Sequence, residues 1–426
     1  MRSRTIALIF ALTTGGACDL DLQNPNAPTE GETVTTVDGL IAIAVGMQQI
    51  YAQGIEDFIL VPALVTDEWG TQTRALVSYR SLLNGDSFDP SYGVVSAPWS
   101  TAYATIKAAN TVLASAPNVG LAPGYEQGVT SLARLFKAMA LGTIVMQYER
   151  MPVTVGPAAA FQDRAVVLDT VLALLETARA DFASVPSTEL AAFRSRVLGT
   201  GFNVLRTTDA MRARYYLVDG QYQPAIDAAG SVKLDTLSSF SYPSPTANPI
   251  YGLAFGLVYT AGLKSWADAA EAGDLRIAYW LNTASAPTGN PPDTLLYALR
   301  KYSGLNDPFP VYLPDEMRLI KAEAFTQLGM LDSAAFYVNA VRTQASSPVD
   351  EPVANLPALD PATQLDTPAK LLAEIARQRR YELFMQGLRW EDTRRLGTAL
   401  TTTPTFTWLP TPIQECRGNP NAPNCT

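Results

Sequence analysis

The chain contains no histidine among its 426 residues and only three cysteines. Catalysis by Ser-His-Asp or Cys-His groupings, HExxH zinc chemistry and histidine-ligated metal sites are therefore excluded, as are clusters needing four thiolates. Carboxylate-pair, Lys- and Tyr-based mechanisms survive this test. Positive charge is also sparse: 31 Lys and Arg stand against 40 Asp and Glu, a net −9, with no dense basic run. Nucleic acid and anionic lipid surfaces both require clustered positive charge, so neither is an expected partner and a neutral ligand fits better. The apolar run IALIFAL at residues 6–12 is too short to span a bilayer.

What is present argues for an exported, folded chain. A hydrophobic content of 47% opposes disorder, and the length allows one large domain or two to three smaller ones. Arg2 and Arg4, the IALIFAL run and the small residues TTGGA before Cys18 form an export signal. The small residues before that cysteine resemble a bacterial lipobox, with Gly15 where Leu is usual. The resemblance implies that residues 1–17 are removed, that Cys18 carries lipid, and that 18–35, polar and turn-rich, tether the folded body. An oxidising compartment lets Cys416 and Cys425 pair across the Pro/Asn-rich tail as a local staple, contributing about 2–3 kcal/mol at most on the chain-entropy picture.

Helical periodicity dominates beyond the tether. It predicts helices at 38–53, 97–115, 126–149, 168–184, 205–218, 315–328, 331–344 and 369–396, whereas 66–96 and 230–312 read as loop-rich, the latter with short strands. Two segments share one set of offsets: Ala213, Tyr216, Gly220, Tyr222, Ala225 and Ala322, Phe325, Gly329, Leu331, Ala334. Small residues at a helix crossing, an aromatic between them and a turn glycine suit a tetratricopeptide helix pair. Residues 374–395, ten of whose 22 residues are charged, read as one salt-bridged amphipathic helix. Tyr381, Phe384 and Leu388 form its apolar stripe, and the expected pairs are Glu391 with Arg395, Glu374 with Arg377 and Arg389 with Asp392.

Several segments together resemble the SusD/RagB-like lipoproteins. They are CDLDLQNPN after the lipobox, TDEW at 66–69, Trp99, Tyr103, Ile106 and Asn110 in the pattern W-x3-Y-x2-I-x3-N, LARLFKAMALGTIVMQYERMP, and VYLPDEMRLIKAEAFTQLG with NAVR following. Arg379, Glu382, Leu383, Gly387, Arg389, Trp390 and Asp392 resemble the signature E-R-x2-E-L-x3-G-x-R-W-x-D, and WLPTPIQE resembles the closing segment. Gln378, Gln386 and the Tyr148-Glu149 turn depart from the family pattern. The resemblance implies a mainly α chain with few short strands. In it tetratricopeptide-type pairs form a scaffold for a loop-rich ligand-binding region, all within one domain at 36–426. It further implies an outer-membrane lipoprotein facing the cell exterior, without cofactor or catalysis. Such a protein captures a glycan or peptide for a SusC-like TonB-dependent transporter. A tetratricopeptide-type envelope scaffold that binds no small ligand is the alternative.

Sugar rings stack on Trp and Tyr while their hydroxyls need polar side chains at the rim. The aromatic-rich loops nominate Trp69, Arg74, Tyr79, Tyr92, Trp266, Tyr279, Trp280 and Tyr302 as ligand-binding residues; Trp99 and Trp390 are assigned to the core. Asp67 and Glu68 diverge too far to flank one bond and read as a helix-end or loop pair. No metal set is expected, since no EF-hand spacing appears.

Overall fold

The computed structural model describes residues 34–426 apart from 87–88, 200, 292–293, 399, 401–403, 424 and 426. Cys18 and the export segment lie outside the described residues. The numbered helices are α1 (Val37–Gln53), α2 (Ile55–Val65), α3 (Val77–Leu83), α4 (Gly93–Ser115), α5 (Pro123–Ile144), α6 (Arg164–Ala183), α7 (Ser187–Val197), α8 (Val204–Val218) and α9 (Tyr222–Ser231). Then come α10 (Pro314–Gln327), α11 (Leu331–Arg342), α12 (Pro368–Glu382), α13 (Arg389–Leu396) and α14 (Ile413–Gly418); helical turns of three to five residues are left unnumbered. The chain is mostly helical, as the periodicity and the resemblance both predict.

Helices α4, α5, α6, α8, α9, α10, α11 and α12 pack in a continuous series in which each touches the next. The repeated offsets explain two of its pairs. Ala213 and Ala225 are fully buried where α8 meets α9, and Ala322 and Ala334 where α10 meets α11, so the absence of larger side chains lets the helices approach. Gly220 and Gly329 take the left-handed conformation that ends the first helix of each pair, at φ 76° and 75°. Past them, Gln221 N–H bonds Tyr216 O at 2.8 Å and Met330 N–H bonds Phe325 O at 2.9 Å, the same closing bond in both.

The charged segment departs from the expected single helix. It is α12 and α13 joined by a turn in which Met385 and Gly387 have φ 59° and 72°. A Cβ on Gly387 would sit 2.9 Å from Phe58 O, so the turn both needs a glycine and packs against α2. The turn directs Phe384 onto Trp266, with ring centroids 4.2 Å apart, which a continuous helix would not do.

Most of its charges are buried and reach outward to other elements. Glu391 pairs with Arg164 at 2.6 Å and Arg394 at 2.8 Å, and Asp392 with Arg379 at 2.7 Å and Arg395 at 2.8 Å. Arg395 also pairs with Glu323 on α10. Glu374 is 2.6 Å from Arg342 but 3.8 Å from the expected Arg377. Arg389 donates to Thr66 O at 3.0 Å, tying α13 to the end of α2 in place of the expected pair with Asp392. Spacing along one helix identified these groups but not their partners, which are set by the packing of α12 and α13 on α2, α6, α10 and α11. Helix α2 itself escapes the periodicity because IEDFILVPALV is buried on nearly every side and has no polar face to mark a stripe.

Candidate functional site

The two loop-rich stretches meet in one antiparallel sheet. Short strands are β1 (Trp69–Thr71), β2 (Arg150–Pro152), β3 (Phe161–Asp163), β4 (Ser239–Phe240), β5 (Thr260–Leu263), β6 (Leu281–Asn282), β7 (Leu296–Leu299) and β8 (Phe309–Pro310), and the sheet has the order β1-β5-β7-β6. Trp69 pairs with Gly262, Gly262 with Tyr297 and Leu281 with Leu299. Gln72, just beyond β1, locks the join: its backbone N–H donates to Tyr259 O and its side-chain amide to Thr260 O, both at 2.8 Å.

An aromatic face forms at the β1 edge. Tyr79 on α3 meets Tyr259 edge to face, with centroids 5.7 Å apart and ring planes at 87°. Tyr251 stacks on Phe255 at 5.5 Å, within a π-type turn at Gly252–Gly256. Between that turn and Tyr259, Val258 sits at φ 60°, a conformation costly for a β-branched residue, which the bonds from Leu257 N–H to Gly252 O and Tyr259 N–H to Leu253 O hold in place. The strained turn keeps Tyr259 against Tyr79 and leaves Leu257 46% exposed; Leu76 and Val77, before Tyr79, are 47% and 61% exposed. Arg74 is exposed on the same connection.

The polar groups beside this face come from the first turn of α2. Burial, reinforced by Asp57, pushes the Glu56 carboxyl up to about 8, so it is mostly protonated at neutral pH. Asp57 is raised by burial and accepts from the Thr101 hydroxyl at 2.7 Å. Burial and the nearby Glu56 and Asp57 push the Tyr79 hydroxyl up to about 12. Neutral hydroxyl and carboxyl groups next to tyrosine faces suit an uncharged, hydroxyl-rich ligand better than a charged one.

The nominated residues divide sharply. Tyr79 belongs to the aromatic face, and Arg74 is exposed on the connection that precedes it. Trp69, Trp266, Trp280 and Tyr302 are fully buried, a correction to their nomination as ligand contacts. Trp266 packs on Tyr381 and Phe384, Trp280 donates its indole N–H to Tyr381 O at 2.9 Å, and Tyr302 stacks on Phe309 at 5.2 Å. They are the floor under the sheet, and burying their large apolar area is what stabilises the loop region. Tyr279 lies at the opposite, β6 edge, where its hydroxyl donates to Asp350 and Lys301 sits over its ring, while Tyr92 is half-buried at the start of α4. Trp99 and Trp390 are core residues, as assigned.

Phe255, Leu257 and Glu56 were not singled out. The glycines flanking GLAFG marked a tight turn there, but nothing local reported what faced it. Trp408 was likewise passed over. It lines a groove of about 500 Å³ with Glu149, Arg150 and Pro410, and Arg394 and Arg164 lie 3.9 and 5.3 Å from its ring centre. Cys416 and Cys425 form a disulfide, with Cα atoms 5.3 Å apart. Asp67, at φ 58°, and Glu68 end the segment after α2; burial pushes Glu68 up to about 8 against the charges of Arg389 and Arg380. No described helix is long and apolar enough to cross a membrane.

Comparison with known proteins places this architecture. The fold is that of SusD superfamily crystal structures: one from Bacteroides thetaiotaomicron, 15% identical, aligns over 91% of this chain and 99% of its own with a TM-score of 0.70. A SusD-like carbohydrate binding protein from Bacteroides vulgatus, 13% identical, aligns over 84% of this chain and 83% of its own at 0.65. A laminarin binding SusD-like protein, 16% identical, aligns over 88% and 97% at 0.63. The SusD family model matches residues 300–421, the stretch holding α10 to α13 and the tail. The fold is thus shared with SusD superfamily structures along most of the chain, and the SusD family model agrees with it over residues 300–421. No curated protein matches it significantly in sequence.

Proposed function

We propose that this chain is a non-catalytic nutrient-binding protein that captures a neutral oligosaccharide, or failing that a peptide, on the face built by Tyr79, Tyr259, Tyr251 and Phe255, with Arg74 on the connection that precedes Tyr79. The observation that carries the reading is the sheet joining the two loop-rich stretches, which sets an edge-to-face tyrosine pair, exposed apolar groups and a protonated Glu56 side by side. The SusD family match over residues 300–421 and the carbohydrate-binding character of two structurally similar proteins support the ligand class. The absence of histidine is consistent with binding without turnover. In this reading the lipid on Cys18 holds the protein at the outer membrane, facing outward, and the ligand passes to a SusC-like TonB-dependent transporter.

The purified chain should bind at least one member of a panel of neutral glycans that includes laminarin, return it chemically unchanged, and co-purify from native cells with a large β-barrel. Retention of no glycan or peptide would remove the reading, and turnover of the ligand would replace it. The scaffold alternative draws on Phe336, 67% exposed on α11 beside a groove of about 450 Å³ lined by Asp332, Asn339 and Thr343. Co-purification without ligand binding would favour it.

A further inference from the structure

We infer that Asp315, Glu351 and Glu382 form a buried site for one divalent cation, of the calcium class. Asp315 lies in the first turn of α10, Glu382 ends α12, and Glu351 lies in the irregular crossing between α11 and α12. They are far apart in sequence, so no ligand spacing announces them. In the fold, one carboxylate oxygen from each lies within 4.8 Å of the others. Two oxygens bound across one calcium ion, each at about 2.3–2.6 Å, have that separation.

A second observation is independent of the clustering. Asp315 and Glu382 are fully buried and Glu351 is 5% exposed, yet each keeps an oxygen with no hydrogen-bond partner among the described residues: Asp315 Oδ2, Glu351 Oε2 and Glu382 Oε1. Their other oxygens are held. Asp315 Oδ1 accepts from Arg318; Glu351 Oε1 accepts from Gln344 Nε2 at 2.9 Å and Ser347 Oγ at 2.6 Å; Glu382 Oε2 accepts from Arg276 at 3.4 Å. Each carboxylate is thus oriented through one oxygen and leaves the other available. A buried polar atom ordinarily has a partner, whether protein, water or ion.

The charge balance has the same sign and size. Arg276 forms a bidentate pair with Asp274, at 2.9 and 2.7 Å, before it reaches Glu382. Four buried carboxylates, Asp274, Asp315, Glu351 and Glu382, therefore face two guanidiniums, Arg276 and Arg318, leaving two negative charges that one divalent ion neutralises. All the donors are hard oxygens at irregular positions, which suits calcium better than the strict octahedron of magnesium. The ion would pin the α11–α12 crossing to two helix ends. Asp350, next to Glu351, accepts from Tyr279 at the β6 edge, so the same ion would brace the sheet beneath the aromatic face.

The test is calorimetric titration of calcium into the chelator-stripped full chain, with melting curves alongside. One ion per chain and a rise of about 3–5 °C at saturating calcium are expected. Asp315→Asn and Glu351→Gln should each weaken binding about tenfold or more while retaining the native circular dichroism; the pair guards against one variant failing to fold. No heat and no melting shift in the wild-type chain at millimolar calcium would overturn the site, as would equal binding by both folded variants.

Discussion

The repeat scaffold and the aromatic face solve the problem of burial in opposite ways. In the scaffold, α8 to α12 meet through alanines, and the ionic groups between them are buried in multiple pairs, Arg379 with Asp392 and Arg342 with Glu374 among them. At the β1 edge, large aromatic and aliphatic groups stay partly exposed around a strained turn at Val258. Charge is placed inside and apolar surface outside, the reverse of the usual arrangement. The difference teaches that charge density marks structure in this chain, while the proposed binding face lies where apolar groups are held out against their tendency to bury.

Substitutions can break that comparison. The largest effects are expected in the floor and the ionic seam. Trp266→Ala and Arg379→Ala should each cost about 3–5 kcal/mol in denaturant unfolding, one by leaving a cavity and the other by leaving buried Asp392 with Arg395 as its one remaining ion pair, with ligand affinity kept in the folded fraction. Arg389→Ala should behave in the same way, because it removes the bond to Thr66 O that ties α13 to the end of α2; unchanged melting with lost binding would place Arg389 in the site. Reducing the Cys416–Cys425 bond comes next. It should cost at most about 2–3 kcal/mol, confined to the tail in hydrogen exchange.

Tyr259→Ala should invert the pattern. Binding of a recognised glycan should fall about tenfold, near 1.4 kcal/mol, with little change in melting. A matched loss of stability would move Tyr259 into the core class.

The smallest effect is on pH dependence. Glu56 and Glu68 have folded-state values near 8, above their unfolded value near 4.5, because burial disfavours their charge. The folded chain therefore holds more protons, and these groups' contribution to stability is present below about pH 4.5 and is lost as the pH rises toward 8. Asp57, Tyr79 and Tyr242 flank Glu56, and Arg389, Arg380 and Asp392 flank Glu68. Glu56→Gln should flatten part of the decline; an unchanged profile would show that Glu56 is not held protonated.

Much of the scaffold was legible because its signals are local. The shared offsets of Ala213 to Ala225 and Ala322 to Ala334 predicted two helix pairs, and Trp99 and Trp390 were rightly assigned to the core. The candidate site was legible only as two stretches of chain. Tyr79 and Trp69 belong to one stretch and differ little in local composition, yet one is half-exposed and the other fully buried. Strands of two to four residues carry almost no periodicity, so the register of Trp69 on Gly262 and of Gly262 on Tyr297 could not be read in advance. The break at Gly387 was masked because Tyr381, Phe384 and Leu388 keep helical spacing across it.

By itself, the amino-acid order determined the mainly helical class, the repeat pairs, the exclusion of histidine chemistry and the family resemblance, since each depends on composition or on neighbours within a few turns. Tertiary structure alone decided which aromatics form the floor and which the face, which charges pair across helices, and that Asp315, Glu351 and Glu382 converge. Those outcomes depend on contacts between residues distant along the chain, whose geometry is fixed only when the helices and the short sheet close on one another.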